Sequence, residues 1–440
     1  MIEVRATALA TLSSSPHFDL AVIGGGATGC GVALDAAARG FSVVLLEAED
    51  FAKGTSSRAT KLVHGGVKYW DGQFDDARLA IALARTAASK GAVVLNHCAV
   101  TSLLREGGKV VGVTARDAIG GADLRIAARC VVNATGVWVD AVRDMDREEG
   151  TARKPGIVAP SQGVHLVVDR TFLPGTHALL VPKTEDGRVL FAVPWLGKTI
   201  LGTTDTPRDD VVREPTPFKE EVEFILRESA RYLAKAPTRA DVRSVWVGLR
   251  PLVKAGGDDD GENTKALSRE HTVLVGRSGL VTVTGGKWTT YRAMAEDVLD
   301  RCFDRALLPR RAAGVTVKLP LVGAPQRAAV SMTAPPGEHL YGEEAVTLRA
   351  LPGADRWLWR DGEGGLSEAM VRFAARHEMA LSVEDVLARR CRLLFLDAAE
   401  AQRQAGAVAK ILAEELGPSF DAPVSQAAFE TLAQQYQRLP

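Results

Sequence analysis

The sequence predicts an α/β protein: a parallel-sheet domain that opens the chain, an antiparallel sheet inserted into it, and a helical domain at the C-terminal end. Three observations carry this. Residues 18–47 read as strand, glycine-rich turn, helix and strand; residues 157–207 break into short alternating runs; beyond about Pro309 apolar residues recur at helical spacing.

The first element is the apolar run Phe18–Ile23, followed by the turn GGGATG at Gly24–Gly29 and by a second strand, FSVVLLE, that closes on Glu47. This order suits the pyrophosphate of a dinucleotide. Gly24 permits the tight turn, Gly26 lets backbone approach the phosphates, and Gly29 lets the helix pack close to the sheet with its N-terminus toward the anion. Glu47, about 20 residues on, is placed to accept hydrogen bonds from a ribose. Glycine-rich turns alone are common; strand, turn, helix, strand and acid at this spacing are not.

Residues 71–90 carry a helical pattern that Gly91 can stop, and a short strand follows at Ala92–Asn96. The runs VTSLL, KVVGVTAR and LRIAARCVVNATG read as strands that return to the first sheet after an antiparallel excursion. From Ile157 to Pro207 the segments GVHLVVD, HALLVP, VLFAVPW and KTILGTTD fit an antiparallel sheet, with a charged helix at about 217–234 packed on it. The strands RSVWVGLRPLV and HTVLVGRSG bracket a polar loop, Ala255–Lys265, and LVTVTGGKWTTYRAMAEDVLDRC repeats the opening order of strand, glycine turn and helix. The resulting domains are 18–70, 71–150 and 270–305 for the dinucleotide, 151–269 for the substrate, and 310–440 for the helices.

Lys plus Arg and Asp plus Glu both number 54 in the 440 residues, so no overall basic field recruits nucleic acid, and any anion site must be local. The five cysteines, at 30, 98, 130, 302 and 391, form no CxxC pair, which argues against a disulfide framework or a metal site and for buried thiols in a reducing cytoplasm. No run of about 18 apolar residues predicts a membrane span, and the first fifteen residues lack the pattern of a secretory signal.

Between Gly54 and Tyr69, GTSSRATKLVHGGVKY is too polar and glycine-rich for a core element. Thr55, Ser56, Ser57, Lys61 and His64 can contact a cofactor there, or the segment is a solvated loop. In VVNATGVW a strand end either brings Asn133, Ala134, Thr135 and Gly136 close to a bound dinucleotide or forms an ordinary strand-to-turn corner. Arg250 in GLRPLV and Arg269 in SREHTV lie beside apolar runs, and a buried guanidinium needs an anion. That anion is a structural carboxylate or, if Lys287 after Gly285 and Gly286 converges with them, a substrate phosphate. His165 is a general base or a hydrogen-bonded sheet residue.

Taken together, GGGATGCGVALDAAARG, TSSRATKLVHGG, DDARL, NATGVW, PSQGVHLVV, PW before GTTDTP, GLRPLV and GGKWTTYR resemble the FAD-dependent glycerol-3-phosphate dehydrogenases, within the D-amino-acid-oxidase-like flavoproteins. The matches keep family order from about residue 18 to 300, and EDVLARRCRLLFLD resembles that family's C-terminal domain. The resemblance implies a Rossmann-like FAD-binding domain, an antiparallel-sheet substrate domain and a C-terminal helical domain. It implies FAD with its ribose on Glu47 and its pyrophosphate over Gly24–Gly29. Thr55, Ser56, Ser57, Lys61, His64 and Gly65 then contact the flavin half, Ala134 and Gly136 approach the cofactor, and Gly286 and Thr289 close over it. Arg250 and Arg269 match positions that hold the substrate phosphate, Lys287 lies beside the reacting carbon, and His165 falls on the candidate base. The implied reaction converts glycerol 3-phosphate to dihydroxyacetone phosphate, with electrons passed to a membrane quinone. The implied location is cytoplasmic, peripheral on the inner face of the bacterial inner membrane, and a homodimer is compatible with it.

Two departures stand out. Lys68 replaces the arginine of the family's HGG-hydrophobic-Arg-Tyr motif, keeping charge but losing the bidentate fork in substrate binding. Tyr69 and Trp70 run straight into DGQFDDARL, where the family carries a long segment of the substrate domain. Alternative readings are therefore an oxygen-using oxidase, an FAD-binding protein impaired by that loss, and a plain NAD-dependent dehydrogenase.

Overall fold

The strand His17–Ile23 is buried on both sides, which explains its near-continuous apolar run. Leu20 and Val22 face a helical layer, while Phe18, Ala21 and Ile23 face the opposite side. It pairs in parallel with Val43–Leu46 on one flank and Asp123–Asn133 on the other, and Val93–Leu95 and Val281–Gly285 extend the parallel core outward. The antiparallel strand His271–Val275 closes one edge, and the hairpin Cys98–Glu106 and Lys109–Asp117 attaches to the start of Asp123–Asn133. This first sheet thus gathers strands from both ends of an insertion. The computed structural model describes residues 2–14, 17–63, 72–147, 155–181, 184–185, 187, 189–254, 270–325 and 330–440.

Helices Ala27–Ala38, Asp76–Ser89 and Tyr291–Asp304 cover one face of that sheet through Val32, Ile81, Leu83, Met294, Val298 and Leu299. Asp75 caps the second of these, accepting from the backbone of Ala77 and Arg78 at 3.1 Å, and Gly91 takes the positive φ of 94° that ends it. An additional helix, Ile2–Ser14, packs Ala8 and Leu12 on the other face.

The inserted sheet is antiparallel, in the order Leu179–Val181, Leu190–Trp195, Lys198–Gly202, Val158–Asp169, Val242–Val253. Val164, Leu166 and Val168 face helix Lys219–Tyr232, whereas Val167, Trp195, Ile200 and Trp246 face the C-terminal helices. Those helices include Glu368–His377, Ala398–Leu416 and Ala422–Gln437, and a small hairpin of Trp357–Asp361 and Gly364–Ser367 precedes them. The chain is an α/β protein with a Rossmann-like domain, an antiparallel sheet and a C-terminal helical domain.

The C-terminal helices are fastened to the first sheet by buried charge. Asp50 accepts from Asn96 at 3.0 Å and from the guanidiniums of Arg389 and Arg390, while Asp385 pairs with Arg389 at 2.8 Å and His97 at 3.0 Å. Asp50, His97 and Asp385 lie close enough to share a metal ion, but two guanidiniums already occupy the cluster and oppose a further cation. All five cysteines are free and buried.

Candidate active site

The turn Gly24–Gly29 is shaped by backbone contact. Gly24 has φ of 105°, and a Cβ there would meet the Ala134 carbonyl oxygen at 2.7 Å. A Cβ on Gly29 would lie 1.8 Å from the Gly24 carbonyl oxygen, so helix and turn touch as only glycine allows. Gly26 caps helix Ala27–Ala38 without a side chain, and Ser56 supplies the missing acceptor, taking the Ala27 N–H at 2.9 Å. Glu47 accepts from the Gly25 N–H at 2.6 Å and the Glu49 N–H at 2.9 Å.

These groups border a cleft of about 380 Å³ that runs along the carboxyl ends of the parallel strands. Gly24, Gly26, Glu47, Thr55, Ser56, Ala134, Gly136, Gly286 and Lys287 all line it. Gly29 lies beneath, packing the helix onto the turn. The glycine cradle, the helix N-terminus and the Glu47 carboxylate fit FAD: Gly24, Gly26 and the Ala27–Ala38 helix suit the pyrophosphate, and Glu47 suits the adenosine ribose. Residues that sequence reasoning did not single out also line it, notably Lys53, Trp138, Arg213 and Trp288. Trp138 was visible in the NATGVW run; Arg213 lay in a charged loop with no local signal.

Four predicted residues, His64, Gly65, Lys68 and Arg269, lie outside the described residues. Lys61 is not brought to the cleft. Its ammonium is fully buried, pairs with Asp76 at 2.5 Å, donates to the Ser57 carbonyl at 2.8 Å and lies 4.9 Å from the Trp246 ring. Burial pushes it down to about 8, with Asp76 opposing. Ser57 is likewise turned into this junction, its carbonyl receiving both Lys61 and Arg392, and Thr289 is exposed outside the cleft lining.

His165 and Arg250 stand on adjacent strands of the second sheet, where Ser161 opposes Arg250 and His165 opposes Trp246. Two glycines make room for them. A Cβ on Gly163 would strike the Arg250 guanidinium at 2.5 Å, and one on Gly202 would strike the His165 ring at 2.7 Å. Arg250 is only partly buried, and a structural carboxylate does meet it: Asp205, at 3.2 Å, with Thr203 Oγ1 and the Thr204 carbonyl also accepting. His165 is buried, stacks on Trp246 at 4.0 Å, and has Nε2 3.1 Å from Thr60 Oγ1. Burial first, then the charges of Lys61 and Arg250, hold its pKa well below the ordinary value, so the imidazole is neutral. The two sheets meet beside this pair. Thr55 Oγ1 donates to the Leu249 carbonyl at 2.5 Å, and Pro251, next to Arg250, lines the cleft.

Glu47 gives the cleft a pH dependence. Burial raises its pKa to about 7, chiefly by desolvation, against the Gly25 hydrogen bond. The carboxylate accepts ribose hydroxyls better than the neutral acid, so protons compete with the cofactor below that value. FAD is expected to bind the flavin-free protein about tenfold more weakly at pH 6 than at pH 8, by fluorescence titration. Glu47→Gln should flatten that profile; a profile unchanged in the variant would reject the role.

Residues 19–71 and 63–292 match the family described as FAD dependent oxidoreductase, and residues 314–421 match the C-terminal domain of alpha-glycerophosphate oxidase. The chain is 34% identical to a mitochondrial glycerol-3-phosphate dehydrogenase of Arabidopsis thaliana, covering 93% of this chain and 84% of that protein. It is 33% identical to the mitochondrial glycerol-3-phosphate dehydrogenase of Homo sapiens, covering 94% and 72%. A solved structure of glycerol-3-phosphate dehydrogenase from Bacillus halodurans complexed with FAD superposes with a TM-score of 0.80 at 28% identity, covering 99% of this chain and 98% of that one. The first family match is split, its pieces meeting at residues 63–71, next to where Trp70 runs into the acidic helix. The Arabidopsis alignment spans 539 positions while using 93% of 440 residues, so more than a hundred positions of the relative have no counterpart here.

Proposed function

The chain belongs to the FAD-dependent glycerol-3-phosphate dehydrogenase family, and from that premise we propose that it oxidises sn-glycerol 3-phosphate to dihydroxyacetone phosphate and passes the electrons to a membrane quinone. The observation that carries the reading is the junction of the two sheets. Thr55, on the cofactor loop, is bonded to the strand that bears Arg250, so a cofactor cleft and a cationic position share one seam.

In this reading FAD, when bound, supplies the hydride acceptor for the C2 hydrogen. Arg250 meets the substrate phosphate, its guanidinium held across Gly163 by Asp205 and Thr203. Lys287, exposed at the cleft lining, adds a second cation. Arg269 and Lys68 are assigned to the same phosphate from the family motifs. His165 takes the C2 hydroxyl proton: a neutral imidazole has a free acceptor nitrogen, whereas an imidazolium has none. Thr60 and Trp246 fix the plane of that ring. No helix among the described residues is long and apolar enough to cross a membrane, and we assign the chain a peripheral position on the cytoplasmic face, where it meets the quinone.

Anaerobic addition of sn-glycerol 3-phosphate to the flavin-loaded protein is expected to bleach the flavin band. A yellow protein that stays oxidised would show that the interval absent near residues 63–71 has removed catalysis while sparing the cofactor. Reoxidation by a quinone analogue, without stoichiometric peroxide, distinguishes dehydrogenase from oxidase. Arg250→Ala should raise KM on the order of a hundredfold at unchanged flavin content. Loss of flavin with KM unaltered would refute the phosphate assignment.

A further inference from the structure

The loop between strand Thr206–Pro207 and helix Lys219–Tyr232 leaves the second sheet and reaches the first. Gln162, fully buried, holds both of its ends: its amide nitrogen donates to the Thr216 carbonyl at 3.2 Å, and its oxygen accepts from Arg208 at 2.6 Å. Glu214 is gripped by both terminal oxygens on the buried Arg58 guanidinium at 2.8 Å and by the Tyr436 hydroxyl at 3.2 Å. Between these anchors stands Arg213, which lines the cofactor cleft, pairs with Glu49 and lies 5.9 Å from the Trp138 ring. Glu49 and Trp138 line the same cleft, and Glu49 is two residues from the ribose acceptor Glu47. An ion pair as exposed as Arg213 with Glu49 contributes little to stability, so folding does not account for a loop tied down this firmly behind it.

We propose that Arg213 is a cofactor-retaining residue: the loop is a strap that carries its guanidinium across from the second sheet to close the adenosine end of the cleft and to attract the anionic FAD. The inference rests on FAD occupying the cleft. Burial raises the pKa of Glu47, and the Arg213 charge is one of the smaller influences that oppose that rise. Its guanidinium also lies 5.9 Å from the Trp138 ring, a cation–ring contact that lysine would keep only in part.

The test is FAD binding to the flavin-free full chain, followed by flavin fluorescence at low and high salt. Arg213→Ala is expected to raise Kd about tenfold and to speed release, Arg213→Lys to recover part of the loss, and the salt dependence to be shallower in the alanine variant. Melting temperatures of the flavin-free forms should coincide, separating cofactor loss from misfolding. Arg213→Ala binding FAD within about twofold of the unaltered chain, with the same salt dependence, overturns the proposal and leaves a surface ion pair. Failure of the unaltered chain to bind FAD overturns the cofactor assignment together with it.

Discussion

Gly29→Ala is expected to yield a chain that purifies without flavin and melts well below the unaltered protein. The added Cβ would sit 1.8 Å from the Gly24 carbonyl oxygen and 3.0 Å from its carbon, a collision with backbone that no side-chain rotation relieves. Gly24 is itself fixed in a turn with φ of 105°, and its carbonyl is main chain that cannot rotate aside on its own. Helix Ala27–Ala38 must therefore lift off the sheet, taking its N-terminus away from the pyrophosphate position. Overpacking of this kind costs about 3 kcal/mol or more when the obstacle is main chain. Gly91→Ala is the control: its φ of 94° makes alanine strained, but nothing lies within 4 Å, so a loss of about 1 kcal/mol with full flavin content is expected. The ratio of flavin to protein absorbance and thermal melting with and without added FAD report both effects. A Gly29→Ala protein that retains flavin and melts with the unaltered chain would overturn the contact.

What could be read in advance was what short stretches of chain determine. The turn at Gly24–Gly29 and the acid at Glu47 belong to one strand-helix-strand unit, so their spacing already implied a shared site. Gly163 and Gly202 were visible inside PSQGVHLVV and GTTD, yet their purpose appears only when Arg250 and His165 arrive from neighbouring strands to fill the space. Lys61 shows the opposite case. Its surroundings, polar and glycine-rich, suggested a cofactor contact, but its fate is decided by Asp76 and by Arg392, more than three hundred residues away. Local composition cannot register a partner at that distance. The helix Ile2–Ser14 and the hairpin at Trp357–Ser367 escaped notice for a related reason: each is short and is held in place by tertiary packing, not by a strong pattern of its own.

The second large effect is expected at that buried junction, from Asp76→Asn. Asp76 receives the Lys61 ammonium at 2.5 Å, the Ala59 N–H at 3.0 Å and the Arg392 guanidinium at 3.3 Å, all beneath the surface where the cofactor loop, helix Asp76–Ser89 and the C-terminal helices converge. The amide keeps the shape but removes the charge, leaving two buried cations beside Asp75, whose carboxylate lies 3.7 Å from Arg392. Stripping one partner from a buried pair costs about 3–5 kcal/mol near neutral pH. The pH dependence identifies the cause. Lys61 titrates at about 8 in the folded chain against an ordinary 10.5, so between those values the unfolded chain holds a proton that the folded chain lacks, and stability from this group rises with pH. Removing Asp76 lowers the folded value further and opens that window at lower pH. The deficit of Asp76→Asn relative to the unaltered chain should accordingly be largest at or below neutrality and shrink toward pH 9, as measured by denaturant unfolding. Adding Lys61→Met should restore part of the loss and remove much of its pH dependence, because one of the two stranded cations is then gone. A deficit that is small, or that is equally large at pH 6 and pH 9, would contradict the argument. The consequence reaches the proposed chemistry as well: the Lys61 charge is one of two that depress His165, so a neutral Lys61 in the variant should let the His165 pKa rise, shifting the acid limb of any activity profile toward higher pH.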